Sequence, residues 1–219
     1  MVLILLAAVK VALIAFVTFV YIKTTGLSEK EDRNVGSAAT YVRWGRNSCN
    51  GTQSSTVYFG YMAGAKHETT GSGSNYLCLP HDPQTKLFPV DWNVGSSSSQ
   101  LYGVGYELRV DDNIASHDDR DVPCAVCLAK YKTTLMIPGR TSCYPGWSIE
   151  YDGFLMSPPL AAQRTTTQYI CVDGHLESYG STNHNHGLIT YVEVKCGSIP
   201  CTFQTYSENQ KIGCVVCSI

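Results

Sequence analysis

The chain divides by its hydrophobic pattern into three parts. Residues 1–22 are apolar with a single charge, Lys10. Read as a helix, this stretch spans about 33 Å, close to the hydrocarbon thickness of a bilayer. Lys10 near its middle costs a spanning helix roughly 2.5–3.5 kcal/mol. With Lys10 as the charge of an n-region, residues 11–22 form an h-region, and Thr24 and Gly26 supply the small residues of a cleavage site. Residues 1–26 are therefore read as a cleaved signal peptide or as a retained signal-anchor helix. In the retained form Ala8, Ala12 and Ala15 offer a small-residue face for helix packing. Residues 27–35 are polar and charged, a linker.

From residue 36 the pattern changes to short apolar runs separated by Gly, Ser, Asn, Asp and Pro. Strands are predicted over 40–46, 56–62, 101–110, 124–129, 133–137, 148–156, 168–172, 188–195 and 212–218. Alternation is plainest in 101–110, where Tyr102, Val104, Tyr106, Leu108 and Val110 share a face. No helical period follows residue 34, and no βαβ rhythm occurs. The expectation is one all-β domain over 36–219, a disulfide-rich antiparallel sandwich or jelly-roll-like fold preceded by an N-terminal apolar helix. No Gly-X-Y tract and no tandem repeat are read. The likeness of VPCAVC (122–127) to IGCVVC (212–217) is taken as two strands in equivalent environments.

The cysteines sharpen this picture. Cys49, Cys78, Cys124, Cys127, Cys143, Cys171, Cys196, Cys201, Cys214 and Cys217 make ten in 219 residues. An even count of this density behind an apolar leader reads as five disulfides in a secreted or cell-surface-anchored domain. Two pairs, Cys124/Cys127 and Cys214/Cys217, are spaced Cys-x-x-Cys. A zinc ribbon places its two pairs about 15–20 residues apart, and a redox dithiol sits at a helix N-terminus. These pairs lie in Val/Ala-rich β runs. On a strand, residues i and i+3 lie about 10 Å apart, beyond the roughly 7 Å reach of a disulfide. They also face opposite ways. Each cysteine is thus expected to bond elsewhere, cross-linking its strand on both sides. Cys196 and Cys201 flank a turn that a local bridge would close, and Cys49, in a turn-rich segment, is expected near the surface.

Charged residues are only 16% and the net charge is −2. That balance suggests neither nucleic acid nor an anionic membrane surface as partner, and membrane contact only through a retained N-terminal helix. His175, His184 and His186 read as exposed loop residues. The acidic run from Asp111 to Asp121 reads as a solvated loop holding calcium weakly at most. No G-x-S-x-G, H-E-x-x-H or phosphate-loop motif is present, so no catalytic residue, cofactor or metal site is expected, and no enzyme. Asn50-Gly51-Thr52 is an N-glycosylation sequon, placing Asn50 on the surface of a glycoprotein. Trp44, Trp92 and Trp147 are core candidates, and Tyr144 and Tyr179 core or rim residues.

The strings GSAATYVRWGR (36–46), YFGYMAGAKHETTGSGSNYLCLP (58–80), DVPCAVC (121–127), TTLMIPGRTSCYPGW (133–147), YICVDGH (169–175) and VEVKCGSIPC (192–201), with the closing CVVC, carry a resemblance. It is to the non-collagenous C-terminal domain of spongin-like short-chain collagens, a domain also found in stand-alone secreted invertebrate proteins. The resemblance covers nearly everything from Gly36 onward. It implies an extracellular, matrix-associated module without catalytic residues, and the lack of Gly-X-Y leaves a triple helix outside what it implies. The function expected is a structural or assembly module that forms homo-oligomers or binds matrix proteins. The alternative is a lectin-like or innate-defence recognition module for glycans or microbes, its binding residues displayed on polar, aromatic and Gly/Ser-rich loops.

Overall fold

A computed structural model describes residues 14, 16, 17, 38–84, 99–108, 114–160, 167–180, 187–201 and 206–219. Of the leader, Ile14, Phe16 and Val17 are described, in helical conformation. The rest of it, the linker, Trp92, Val110, Asp111, His184 and His186 lie outside the described residues. Residues 1–37 and 38–219 are separate units, and the fold below is that of the second.

This unit is all-β. The strands are β1 (Thr40–Trp44), β2 (Ser55–Gly64), β3 (Leu77–Pro80), β4 (Tyr102–Tyr106), β5 (Pro123–Leu128), β6 (Thr134–Pro138), β7 (Ser148–Ser157), β8 (Ile170–Asp173), β9 (Gly187–Tyr191) and β10 (Gly213–Ser218). Period-two patterning makes them. Val104 and Tyr106 on β4, with Leu108 beyond it, bury one side of the alternating run that hydropathy marks. β3 has no counterpart among the predicted strands.

The first five strands and the last five are built alike, which corrects the reading of a chain without repeats. Strand lengths run 5, 10, 4, 5 and 6 in both halves. In the first half β5 lies between β1 and β2, and β2 also pairs with β3 and β4; in the second, β10 lies between β6 and β7, and β7 also pairs with β8 and β9. Both long strands bulge at one matching residue, Val57 in β2 and Glu150 in β7. Loop hydrogen bonds recur too: Met62 N donates to Val122 O and Leu155 N to Ile212 O, each at 3.0 Å. Asp119 and Asn209, both left-handed (φ 58° and 63°), donate to Tyr106 O and Val194 O.

Why the sequence conceals this is physical. Identity persists where geometry demands a residue type: Gly45/Gly139, Cys49/Cys143, Gly60/Gly153, Cys78/Cys171 and the two Cys-x-x-Cys pairs. A Cβ on Gly60 would lie 1.6 Å from Leu79 O, and one on Gly153 1.9 Å from Val172 O, so only glycine lets β3 and β8 close on their neighbours. Elsewhere any residue of suitable polarity serves.

Disulfides follow the same duplication. Cys49–Cys127 and Cys78–Cys124 staple the first repeat, Cys143–Cys217 and Cys171–Cys214 the second, and Cys196–Cys201 closes a loop of the second repeat alone. Neither Cys-x-x-Cys pair is bonded within itself, and no cysteine is free. Cys124 and Cys127 face different core clusters. Cys49 is 1% exposed, a correction to its expected surface position: its bond to Cys127 draws the turn residue into the core.

Two pairings are parallel and both join the repeats. β4 runs beside β9 (Val104 opposite Gly187), and β1 meets β8 at one bridge, Trp44 opposite Val172. The other ladders among the described residues are antiparallel. Buried charge reinforces the β1–β8 joint. Arg43 Nε donates to Asp173 Oδ2 at 2.8 Å, its Nη2 lies 2.7 Å from the same oxygen, and both side chains are buried. Glu150 accepts hydroxyls from Tyr41 and Ser54 of the first repeat and from Ser218 of the second.

Candidate functional site

Among the described residues the strand path β3-β2-β5-β1-β8-β7-β10-β6 has two free edges, β3 and β6. A bridge between them would close the path into a barrel, and the repeat shows what that bridge would be. β1 corresponds to β6 and β8 to β3, so β3–β6 is the counterpart of the β1–β8 joint. Along a strand successive amides point to opposite sides. Gly45 N donates to Pro123 O, so the Trp44 amide points toward β8; Gly174 N donates to Asp152 O, so the Asp173 amide points toward β1. Their counterparts are Pro138 and Pro80, which have no amide hydrogen. Arg43 is replaced by Ile137, so the ion pair is missing as well. One joint is closed and its twin stands open.

A cleft of about 420 Å³ occupies the open seam. Its walls are Asn75, Tyr76 and Leu77 leading into β3, Thr134, Leu135 and Met136 of β6, and Gln168, Tyr169 and Ile170 leading into β8; Tyr41, Trp44 and Tyr151 lie deeper. Counterparts face one another there, Asn75-Tyr76 with Gln168-Tyr169, and Gln168 N donates to Ser74 O at 3.1 Å across the junction. Among the described residues that line the cleft there is no Asp, Glu, Lys, Arg or His. Burial raises the phenols of Tyr41, Tyr76 and Tyr151 above the usual range, so they remain neutral. Its described lining is aromatic and uncharged.

Beside it lies an exposed apolar face. Leu77 and Leu79 are 48% and 36% exposed, whereas their counterparts Ile170 and Val172 are 4% and 0% exposed because β1 and the core cover them. Phe59 and Tyr61 of the adjoining β2 are also exposed, with His81 packed against both rings and Tyr179 edge-on to Tyr61. Where Phe59 stands in the first repeat, the second has Asp152.

The residues singled out by sequence lie elsewhere. Asn50 is exposed on its turn, its carbonyl accepting from Arg43 Nη1 at 2.7 Å. His175 is exposed. From the acidic run, Asp118 Oδ1 accepts from Leu108 N, Asp121 exchanges backbone hydrogen bonds with Tyr179, and the described carboxylates do not gather. Cys196, Cys201 and Glu208 group within 4.8 Å, but both sulfurs are in a disulfide and supply no thiolate. His117 Nδ1 lies 2.9 Å from Ser178 Oγ, yet among the described residues no carboxylate orients the ring, and burial lowers its pKa. A nucleophile needs that third group. Trp44 is core; Tyr144 is exposed beneath Arg140, 4.3 Å from guanidinium to ring centre.

Neither the cleft nor the apolar face was anticipated. Pro80 and Pro138 were the available signals, since proline within a strand marks an edge. No family model matches the chain.

Proposed function

We propose that this chain is a non-enzymatic extracellular assembly module, associated with matrix or cell surface, that binds copies of itself or matrix proteins through the apolar face of its first repeat. The observation that carries the reading is the asymmetry between repeats. Leu77 and Leu79 occupy positions whose counterparts are buried, and they remain exposed beside Phe59 and Tyr61. Contiguous exposed apolar surface on a folded domain marks an interaction site. The disulfide-stapled framework supports an extracellular setting, and a rigid head of this kind suits assembly. Sedimentation velocity over a range of concentrations, with immobilised matrix extracts as a second arm, tests it. Association or matrix capture is expected for the native chain, and its loss in Leu79→Lys and Phe59→Lys, which alter exposed side chains and leave the melting temperature nearly unchanged. A chain that stays monomeric and captures nothing, or variants that associate like the parent, would overturn the reading.

A further inference from the structure

We propose that the open seam between β3 and β6 is a binding site for a neutral oligosaccharide. This inference goes beyond assembly and rests on Asn75, Gln168 and Tyr169, which the assembly reading does not use. A sugar offers two surfaces to a protein, a C–H face that packs on aromatic rings and a rim of hydroxyls that each donate and accept hydrogen bonds. The cleft supplies a partner for both. Tyr169 is 61% exposed at its edge and presents a ring to solvent, with Tyr41, Trp44, Tyr76 and Tyr151 below. Asn75 and Gln168 line it from opposite repeats. Each amide side chain is exposed and without a hydrogen-bond partner among the described residues, leaving donor and acceptor free.

The lining also argues against other occupants. The described lining holds no Asp, Glu, Lys, Arg or His, so it offers no charge to pair with a sulfate, a phosphate or a uronate. An added peptide strand needs an edge that can hydrogen-bond along its length. Pro80 and Pro138 remove a donor from each edge, the usual protection against strand addition. The same prolines keep the repeats from closing on the cleft, so the space persists. Its volume of about 420 Å³ falls within the range of small-ligand sites, about 300–1,000 Å³.

Titration calorimetry on the full chain tests the proposal, using neutral gluco-, manno- and N-acetylglucosamine oligosaccharides beside heparin fragments and an extended apolar peptide. At least one neutral series should bind, with an affinity that rising salt leaves unchanged. Tyr169→Ala and Gln168→Ala should each weaken binding roughly tenfold, the loss of about 1.4 kcal/mol. Tyr144→Ala, an exposed tyrosine outside the cleft, should leave it intact. All three are surface changes whose melting temperatures verify folding. Silence from every neutral series, binding that Tyr169→Ala does not touch, preference for heparin with steep salt dependence, or displacement of sugar by the apolar peptide would each overturn the assignment.

Discussion

At the scale of single residues, one buried ion pair reinforces the β1–β8 joint between the repeats. Arg43 spends all its polar reach there: Nε and Nη2 on Asp173, Nη1 on the carbonyls of Ser48 and Asn50. Asp173 in turn accepts the amide of His175 at 2.8 Å. Removing one partner strands the other in a dry site, so Arg43→Met or Asp173→Ala should each cost about 3–5 kcal/mol. The twin joint carries uncharged residues, Ile137 and Pro80, at the corresponding positions. The double variant should therefore lose less than the sum of the singles. Urea denaturation with disulfides intact measures all three, and strict additivity would mean that the two side chains act separately. Arg43 also fastens the turn that displays Asn50, so exposure of that sequon and integrity of the joint are coupled.

At the scale of elements, the cystines do unequal work. Cys78–Cys124 closes a loop 46 residues apart in sequence, Cys196–Cys201 one of 5. By loop-closure entropy these contribute about 4 and about 2 kcal/mol, respectively. Replacing Cys196 and Cys201 by serine should thus lower the unfolding midpoint slightly, whereas the same change at Cys78 and Cys124, which also empties a core site, should lower it severely. Thermal melts of the two double variants decide this; equal losses would show that the exposed loop is part of the cooperative core. Legibility followed the same division. Alternation revealed β4, and spacing alone showed that Cys124 and Cys127 cannot bond each other. β3 escaped because four residues ending in proline carry too short a period. The duplication escaped because buried positions need only polarity and volume, so Met62 and Leu155 serve alike. Cys49 was misplaced because its turn composition says nothing of the distant strand that holds its partner.

At the scale of the whole molecule, two joints of common design have opposite states among the described residues, and three differences bear directly on their pairing. Transplanting the closed joint into the open one, by Ile137→Arg, Pro138→Trp and Pro80→Asp together, restores both amides and the ion pair. Amides of residues 76–80 and 134–138 should then gain protection in hydrogen exchange, and ligands of the cleft should be excluded. Unchanged exchange would mean that the prolines do not hold the seam open.

The doubled cysteine framework also sets a problem of choice for the nascent chain. Each thiol of the first repeat has, in the second, a decoy placed in almost the same local setting: Cys171 for Cys78, Cys143 for Cys49. A reduced chain diluted from denaturant meets all of them at once, and its oxidation should scatter among mismatched bonds. Synthesis removes the ambiguity through time. Every disulfide stays within its own repeat, and translation proceeds at about 5–20 residues per second. Cys49, Cys78, Cys124 and Cys127 therefore all leave the ribosome before the first decoy, Cys143, and Cys171, the decoy for Cys78, follows Cys127 by 44 residues, about 2–9 s. The order of the chain, more than the identity of its thiols, selects the partner.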